Sequence, residues 1–151
     1  MKVSEQMQAQ PLTAGPEASV GDLARAMTDS GSTHVVIVGP GQELLGIVTA
    51  TDLIAKHARL HFPLYFSLLG FSLPLESRRD DREIEQAIAA TADGLMSTAL
   101  VTVGPDADID DAATLMLDHE VSCLPVMQGG RLLGTISERD IVRLLVVEEE
   151  W

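Results

Sequence analysis

The 151-residue sequence has a single cysteine, few aromatic residues and few basic ones. One thiol, Cys123, excludes a disulfide within the chain and is typical of a reducing cytoplasm. Its apolar neighbours Val121, Leu124 and Val126 predict that this thiol is buried. Aromatic residues make up 3% of the chain, so a core must be built from aliphatic side chains. The 10 Lys and Arg stand against 23 Asp and Glu, a formal net charge of −13. This charge argues against partners such as nucleic acid and anionic lipid, which require a clustered basic surface.

Signals for export or membrane insertion are also missing. The first residues lack the basic-then-apolar pattern of a signal peptide. An apolar segment at 62–75 has only 14 residues and contains two prolines. It is too short to cross a hydrocarbon layer that needs about 20 residues. We therefore expect a cytoplasmic protein without a membrane span.

What the chain does contain is an internal repeat. Residues 7–54 and 96–142 follow one pattern, as when Leu-Leu-Gly at 44–46 recurs at 132–134. Each copy alone buries too little apolar surface, so the two copies should pack against each other. Two packed copies create two equivalent clefts. This arrangement favours a binding role over a single catalytic centre.

Each copy predicts the element order β-α-β-β-α, which indicates a mixed α/β (α+β) fold. Apolar residues recur at helical spacing, which predicts helices running to about residues 30 and 119. Two short β-branched runs around a Gly-rich turn then predict a hairpin in each copy. The predicted strands cover 35–38, 44–48, 124–127 and 132–136, and second helices begin at 51 and 139.

The repeats imply four parts of the chain. We assign residues 1–56 to the first repeat, 57–93 to a connector, 94–147 to the second repeat and 148–151 to an acidic tail. The connector includes a mixed-charge helix and the apolar segment 62–75, which holds all three Phe and the one Tyr. This segment either folds over the core or forms an exposed patch for self-association or a partner. A homodimer would satisfy both interpretations.

At the end of each hairpin, a hydroxyl residue is followed by Asp three positions later. The pairs are Thr49 with Asp52 and Ser137 with Asp140. A hydroxyl beside the free N–H groups of a helix N-terminus can hold a phosphate. An ionised Asp only accepts hydrogen bonds, which suits the two hydroxyls of a ribose. The alternative is that these residues are ordinary helix caps.

Three further motifs carry a family resemblance. They are Thr-Val-Gly-Pro-Asp at 102–106, Leu-Pro-Val at 124–126 and Leu-Gly-Thr-Ile-Ser-Glu-Arg-Asp at 133–140. In this order they resemble a tandem pair of cystathionine-β-synthase (CBS) domains, and the likeness covers nearly everything except the connector. The resemblance implies a regulatory module whose two repeats pack through their sheets with pseudo-two-fold symmetry. It also implies dimerisation and binding of adenosine-containing ligands between the repeats.

The resemblance also implies roles for individual residues. Asp52 and Asp140 would bind ribose hydroxyls, and Arg139 would bind phosphate. Thr49 and Ser137 would reach phosphate or ribose. Residues implied to line the adenine pocket are Thr13, His34, Val36, Thr102, Cys123 and Pro125.

The two copies differ at positions that matter for binding. The first has Val36 where the second has Pro125, and Thr51 where the second has Arg139. An acidic chain repels phosphates unless a cation lies near them. We therefore predict unequal clefts, with the Ser137–Arg139–Asp140 cleft the better one and the Thr49–Asp52 cleft weak or empty.

These observations predict a sensor of an adenosine-containing ligand that acts as a homodimer on an unknown effector protein. AMP, ADP, ATP, NAD and S-adenosylmethionine share the adenosine end, and the sequence does not choose among them. No cofactor is required, and no nucleophile–base pair or Gly-rich phosphate loop suggests an enzyme. His57 and His61 have zinc-binding spacing but lack a third ligand, so no metal site is expected. The alternative function is a ligand-free interaction protein that dimerises through residues 62–75.

Overall fold

The computed structural model of the chain describes residues 1–61 and 90–148. The apolar segment 62–75 and most of the acidic tail therefore lie outside the described residues. The elements in chain order are α1 (Val3–Gln6), β1 (Thr13–Ala14), α2 (Val20–Ser30), β2 (His34–Val38), β3 (Leu44–Thr49), α3 (Ala50–His61), α4 (Ala92–Leu95), α5 (Ile109–His119), β4 (Cys123–Gln128), β5 (Arg131–Ser137) and α6 (Glu138–Glu148). No helix within 1–61 and 90–148 is long and apolar enough to cross a bilayer.

Helix α2 forms where the sequence predicts it. Ser19 caps its start by accepting a hydrogen bond from the Asp22 backbone N–H at 3.1 Å. Leu23 and Met27, one turn apart, are its buried residues. The helix ends at Gly31, whose φ of 70° is the left-handed conformation that glycine adopts without strain.

Helix α5 is the counterpart of α2 in the second repeat. It buries Ile109, Ala112 and Met116 on one face. Asp108, the residue before the helix, makes no side-chain cap hydrogen bond, and its carboxylate instead pairs with Lys2 Nζ at 2.9 Å. Glu120 ends the helix in the left-handed region with a φ of 54°, at the position that Gly31 occupies in the first repeat.

Each repeat contains the predicted antiparallel hairpin. Strand β2 pairs with β3, and β4 pairs with β5. In the first repeat β1 adds a parallel strand beside β2, which completes the predicted order β-α-β-β-α. In the second repeat the first strand is reduced to one parallel bridge between Val103 and Val126.

The two repeats exchange their first segments. Val3 N–H donates to Ala107 O at 2.9 Å, and the equivalent Ala92 N–H donates to Ala18 O at 2.8 Å. Bridges between Gln8 and Thr135 and between Ile47 and Ser97 repeat this exchange further along the chain. These reciprocal contacts give the chain its pseudo-two-fold symmetry.

The exchange also mixes the two cores. Val3 is buried with the helix and strands of the second repeat, and Ala92 is buried with those of the first. A backbone contact this close requires glycine: a Cβ on Gly134 would collide with the Gln8 carbonyl oxygen. The predicted domain boundaries near residues 56 and 94 divide the chain by position in the sequence. Each hydrophobic core, however, also includes a short helix that comes from the other repeat.

Candidate functional site

Two cavities are each lined by residues of both repeats. We name them the Asp140 cavity and the Asp52 cavity after the carboxylate in each wall. Their volumes are about 690 Å³ and about 400 Å³. Both lie in the range of about 300–1,000 Å³ that is usual for small-molecule sites.

The Asp140 cavity brings together five of the residues implied by the resemblance. They are Thr13, His34, Ser137, Arg139 and Asp140. The rest of its wall comes from the segment before β1, the loop after α2, and Arg143 on α6. The segment before β1 contains residues such as Gln8 and Leu12, which no motif marked.

The Asp52 cavity brings together Thr49, Asp52 and Cys123. Its wall also includes Glu120, Glu138 and the segment that leads into the second repeat. The other three implied residues, Val36, Thr102 and Pro125, line neither cavity. Val36 and Pro125 are interior strand residues with fully buried side chains, whereas Thr102 is exposed beside the Val103 bridge.

The hydroxyl–Asp pairs cap the helices that start at the two cavities. Asp140 Oδ2 accepts hydrogen bonds from Ser137 N–H and Ser137 Oγ–H, both at 2.9 Å. Asp52 Oδ2 accepts one from Thr49 N–H at 2.8 Å, and Asp52 N–H donates to Thr49 Oγ1 at 3.3 Å. The capping alternative is therefore present in both copies. Because these bonds use only Oδ2, the cap fixes each carboxylate in a cavity wall and leaves Oδ1 outside the cap.

Cationic side chains distinguish the Asp140 cavity. Arg139 Nη1 donates a long hydrogen bond of 3.3 Å to the Gly31 carbonyl, which links α6 to the end of α2. Arg143 lines the same cavity. Two arginines therefore stand against one aspartate in this wall.

The Asp52 cavity has the opposite charge. Asp52, Glu120 and Glu138 contribute three carboxylates, and its described wall contains neither Lys nor Arg. An anionic ligand would be repelled here and attracted to the Asp140 cavity. This difference supports the predicted inequality of the two clefts, while the occupancy of each stays a prediction.

His34 is a buried contact between the repeats. Its side chain shares a hydrogen bond of 3.0 Å between Nε2 and Thr135 Oγ1, and Nδ1 is buried without a partner among the residues described. Burial lowers the pKa of His34, and the negative charge of Asp140 opposes this shift. Thr135 carries no motif of its own. A polar residue inside an otherwise apolar strand is the signal that could have identified it.

Cys123 occupies the position equivalent to His34 in the second repeat. Burial, followed by the charge of Asp140, raises the pKa of its thiol to about 12, and a hydrogen bond with Thr135 opposes the rise. Nucleophilic reactivity requires a thiolate, so this thiol is unreactive at neutral pH. The predicted buried cysteine is confirmed.

Metal-binding groups do not cluster in the part of the chain that the structure covers. Within residues 1–61 and 90–148, no three His, Cys, Asp or Glu side chains are placed to hold one ion. The His57 and His61 side chains lie outside the described residues.

Comparison with known sequences identifies a family. The model of the CBS domain matches residues 3–59 and 92–147. The sequence is 26% identical to an uncharacterized protein of Methanopyrus kandleri over 99% of this chain and 68% of that protein. It is also 26% identical to a homoserine O-acetyltransferase of Methanosalsum zhilinae over 95% of this chain, but it spans only 24% of that enzyme.

Comparison with solved structures identifies the same fold. The CBS domain pair of MJ0100, crystallised with 5′-methylthioadenosine and S-adenosylmethionine, matches with a TM-score of 0.75 and 21% identity over 98% of each chain. CBSX2, crystallised with AMP, matches with a TM-score of 0.71 and 20% identity over 98% of each chain. These similarities confirm the predicted α+β fold of two packed repeats.

Proposed function

This chain belongs to the CBS domain family, and we propose that it is a regulatory module that binds an adenosine-containing ligand in the Asp140 cavity. The observation that carries the proposal is the first turn of α6. Arg139 and Asp140 in this turn, with Ser137 at the end of β5, face a cavity of about 690 Å³ whose opposite wall belongs to the first repeat.

The groups that line this cavity suit the ribose, the phosphate and the adenine ring of a nucleotide. Asp140 Oδ1, outside the cap, accepts hydrogen bonds from ribose hydroxyls. The N-terminus of the 11-residue helix α6 and the Arg139 guanidinium attract phosphate. Thr13 and His34 line the cavity on the side of the first repeat, where the resemblance implies the adenine ring.

The two most informative structural neighbours support this class of ligand. MJ0100 and CBSX2 were crystallised with adenosine compounds, at identities of 21% and 20% to this chain. AMP, ADP, ATP, NAD and S-adenosylmethionine all contain adenosine, so this part of the ligand does not distinguish among them. The excess of arginine in the Asp140 cavity favours those that carry phosphate.

Regulation follows from the shared walls of the cavity. A ligand held by both repeats favours the packing of the repeats that it fits best, and its effect is limited to its difference in affinity for the two arrangements. The altered packing would then change affinity for an effector protein. The acetyltransferase relative supports no enzymatic role, because the chain spans only 24% of that enzyme.

Titration calorimetry with AMP tests the proposal through a matched pair of variants. Asp140→Ala removes the cap and the proposed ribose contact, and we expect AMP binding to weaken at least about tenfold, as for loss of a charged hydrogen bond. Asp52→Ala removes the equivalent cap in the other cavity. The affinity of Asp52→Ala for AMP should stay within about threefold of that of the protein without substitutions, because Asp52 lines the cavity that repels phosphate.

Three other results would contradict this assignment. Loss of binding in Asp52→Ala but not in Asp140→Ala would place the ligand in the other cavity. Equal loss in both variants would indicate a general effect on folding, which thermal melts of the two variants measure directly. No heat from any of the adenosine compounds, together with a stable oligomer, would favour the interaction protein that uses residues 62–75.

A further inference from the structure

We propose that Arg143 selects adenosine ligands with two or more phosphates in the Asp140 cavity. This inference rests on the proposed function and names the phosphate chain that the site would accept. The observations behind it are the positions of Arg139 and Arg143 on helix α6 and the absence of both from the ion pairs of the described residues.

The two arginines lie on one face of α6. They are separated by four residues, so their side chains are neighbours on successive turns. Both line the Asp140 cavity, opposite the loop that contains Gly31. The helix therefore presents two guanidinium groups to one space.

This arrangement is unfavourable unless an anion is present. Like charges four residues apart on a helix destabilise it. Neither arginine takes part in the ion pairs of the described residues, which join Lys2 to Asp108 and Arg25 to Asp22. The chain has 23 acidic residues, yet none of those described forms an ion pair with this pair of cations. A bound anion would neutralise both.

Distance along the helix separates the roles of the two arginines. Arg139 lies in the first turn of α6, at the positive end of the helix dipole, where the first phosphate of a nucleotide would be held. Arg143 is four residues further, or about 6 Å along the axis. A second phosphate would lie nearer to Arg143 than the first. Arg143 should therefore add affinity for ADP and ATP and little for AMP.

Calorimetry with four probes in magnesium-free buffer tests this step. Adenosine, AMP, ADP and ATP are titrated into the full chain and into Arg143→Gln. We expect the unchanged protein to bind ADP and ATP about tenfold more tightly than AMP, as for one charge-assisted hydrogen bond. In Arg143→Gln this difference should disappear, and affinities for adenosine and AMP should stay within about threefold. Arg131→Gln is the matched control, because Arg131 is exposed and lines neither cavity.

The outcomes separate this inference from the proposed function. Equal affinity of the unchanged protein for AMP, ADP and ATP would overturn the role of Arg143 and leave the nucleotide site intact. An equal loss for all four probes in Arg143→Gln would show a general contribution to the cavity and would also overturn selection. No binding of any probe to the unchanged protein would end both proposals.

Discussion

At the scale of single residues, one buried histidine joins the two repeats. His34 is 4% exposed, and its ring contacts Thr135 of the other repeat. A buried imidazole is favoured in its neutral form, because burial penalises the charged form. The nearby Asp140 carboxylate reduces that penalty without cancelling it, since the pKa of His34 remains lowered.

The lowered pKa predicts that mild acid destabilises the protein. At a pH above 6.5, the usual pKa of histidine, His34 is neutral in both the folded and unfolded states. As the pH falls through 6.5, the unfolded state binds a proton first, so the free energy of unfolding falls. This loss continues until the pH passes the lowered pKa of the folded state. Urea unfolding between pH 7.5 and pH 5 measures it.

Variants isolate the contribution of His34 from that of the carboxylates. His34→Gln keeps a polar side chain near Thr135 but removes the titrating ring, so its free energy of unfolding should fall less between pH 7.5 and pH 5. His119→Gln makes the same change at an exposed helix end and serves as the control. Equal pH dependence in His34→Gln and the unchanged protein would contradict the prediction.

Sequence patterns identified some of these residues and missed others. Cys123 was predicted to be buried because apolar neighbours surround it, and the structure confirms this. Thr135 was not singled out, because its importance comes from His34, which is 101 positions away in the chain. Val36 and Pro125 were implied as ligand contacts by position, but their strands turn both side chains into the protein interior.

At the scale of elements, helices α3 and α6 share a cap and differ in charge. Thr49–Asp52 and Ser137–Asp140 make equivalent hydrogen bonds at the two helix starts. Arg139 and Arg143 of α6 correspond in the repeat alignment to Thr51 and Ala55 of α3. The two helix starts therefore have equivalent caps and differ in the cations that follow them.

Transferring these cations to α3 should create a second anion site. The double variant Thr51→Arg/Ala55→Arg places two guanidinium groups beside the Asp52 cavity. We expect ADP binding to rise from one to two ligands per chain in calorimetry. The new site should be weaker than the first, because Glu120 and Glu138 remain in its wall.

An uncharged pair of substitutions controls for this result. Thr51→Gln/Ala55→Gln adds similar length without charge and should leave one ligand per chain. Unchanged stoichiometry in the arginine variant would show that the shape of the Asp52 cavity, and not its charge, prevents ligand binding there. Two ligands per chain in the protein without substitutions would instead refute the predicted inequality of the clefts.

The sequence predicted the long elements well and the short ones poorly. Helices α2 and α5 end at residues 30 and 119 as predicted, because caps and periodic apolar residues define them. Helices α1 and α4 have four residues each, too few to show a helical period, and were not predicted. Their packing on the opposite repeat depends on contacts such as Gly134 with Gln8, which only the folded chain brings together.

At the scale of the whole molecule, the exchange of segments makes the repeats one folding unit. Each core includes a buried side chain that the other repeat supplies. Val3 completes the core of the second repeat, and Ala92 completes the core of the first. The pseudo-two-fold symmetry also leaves equivalent surfaces exposed. Ile54 on α3 and Val142 on α6 are equivalent in the repeat alignment and are 67% and 58% exposed.

These exposed residues support the predicted homodimer. Leu145 and Val146 extend the apolar surface of α6 beyond Val142, and both are more than half exposed. A homodimer with two-fold symmetry buries the same patch on both subunits, so each apolar residue there counts twice. Burying one such side chain contributes about 1.5–3 kcal/mol. The helix faces α3 and α6 are therefore our predicted dimer interface, and the segment 62–75 is the alternative.

Charged substitutions distinguish the two interfaces. Ile54→Glu/Val142→Glu should raise the dimer dissociation constant at least about 100-fold, because carboxylates in an apolar contact lose both burial and hydration. Sedimentation velocity over a range of concentrations measures the change. Leu117→Glu, a single change of the same kind at a side chain 78% exposed on α5, should leave the dimer intact. A dimer that survives the double variant but dissociates when the apolar residues of 62–75 are replaced would move the interface to that segment. A chain without substitutions that sediments as a monomer at every concentration would contradict both, and any regulatory signal would then have to pass through the packing of the two repeats alone.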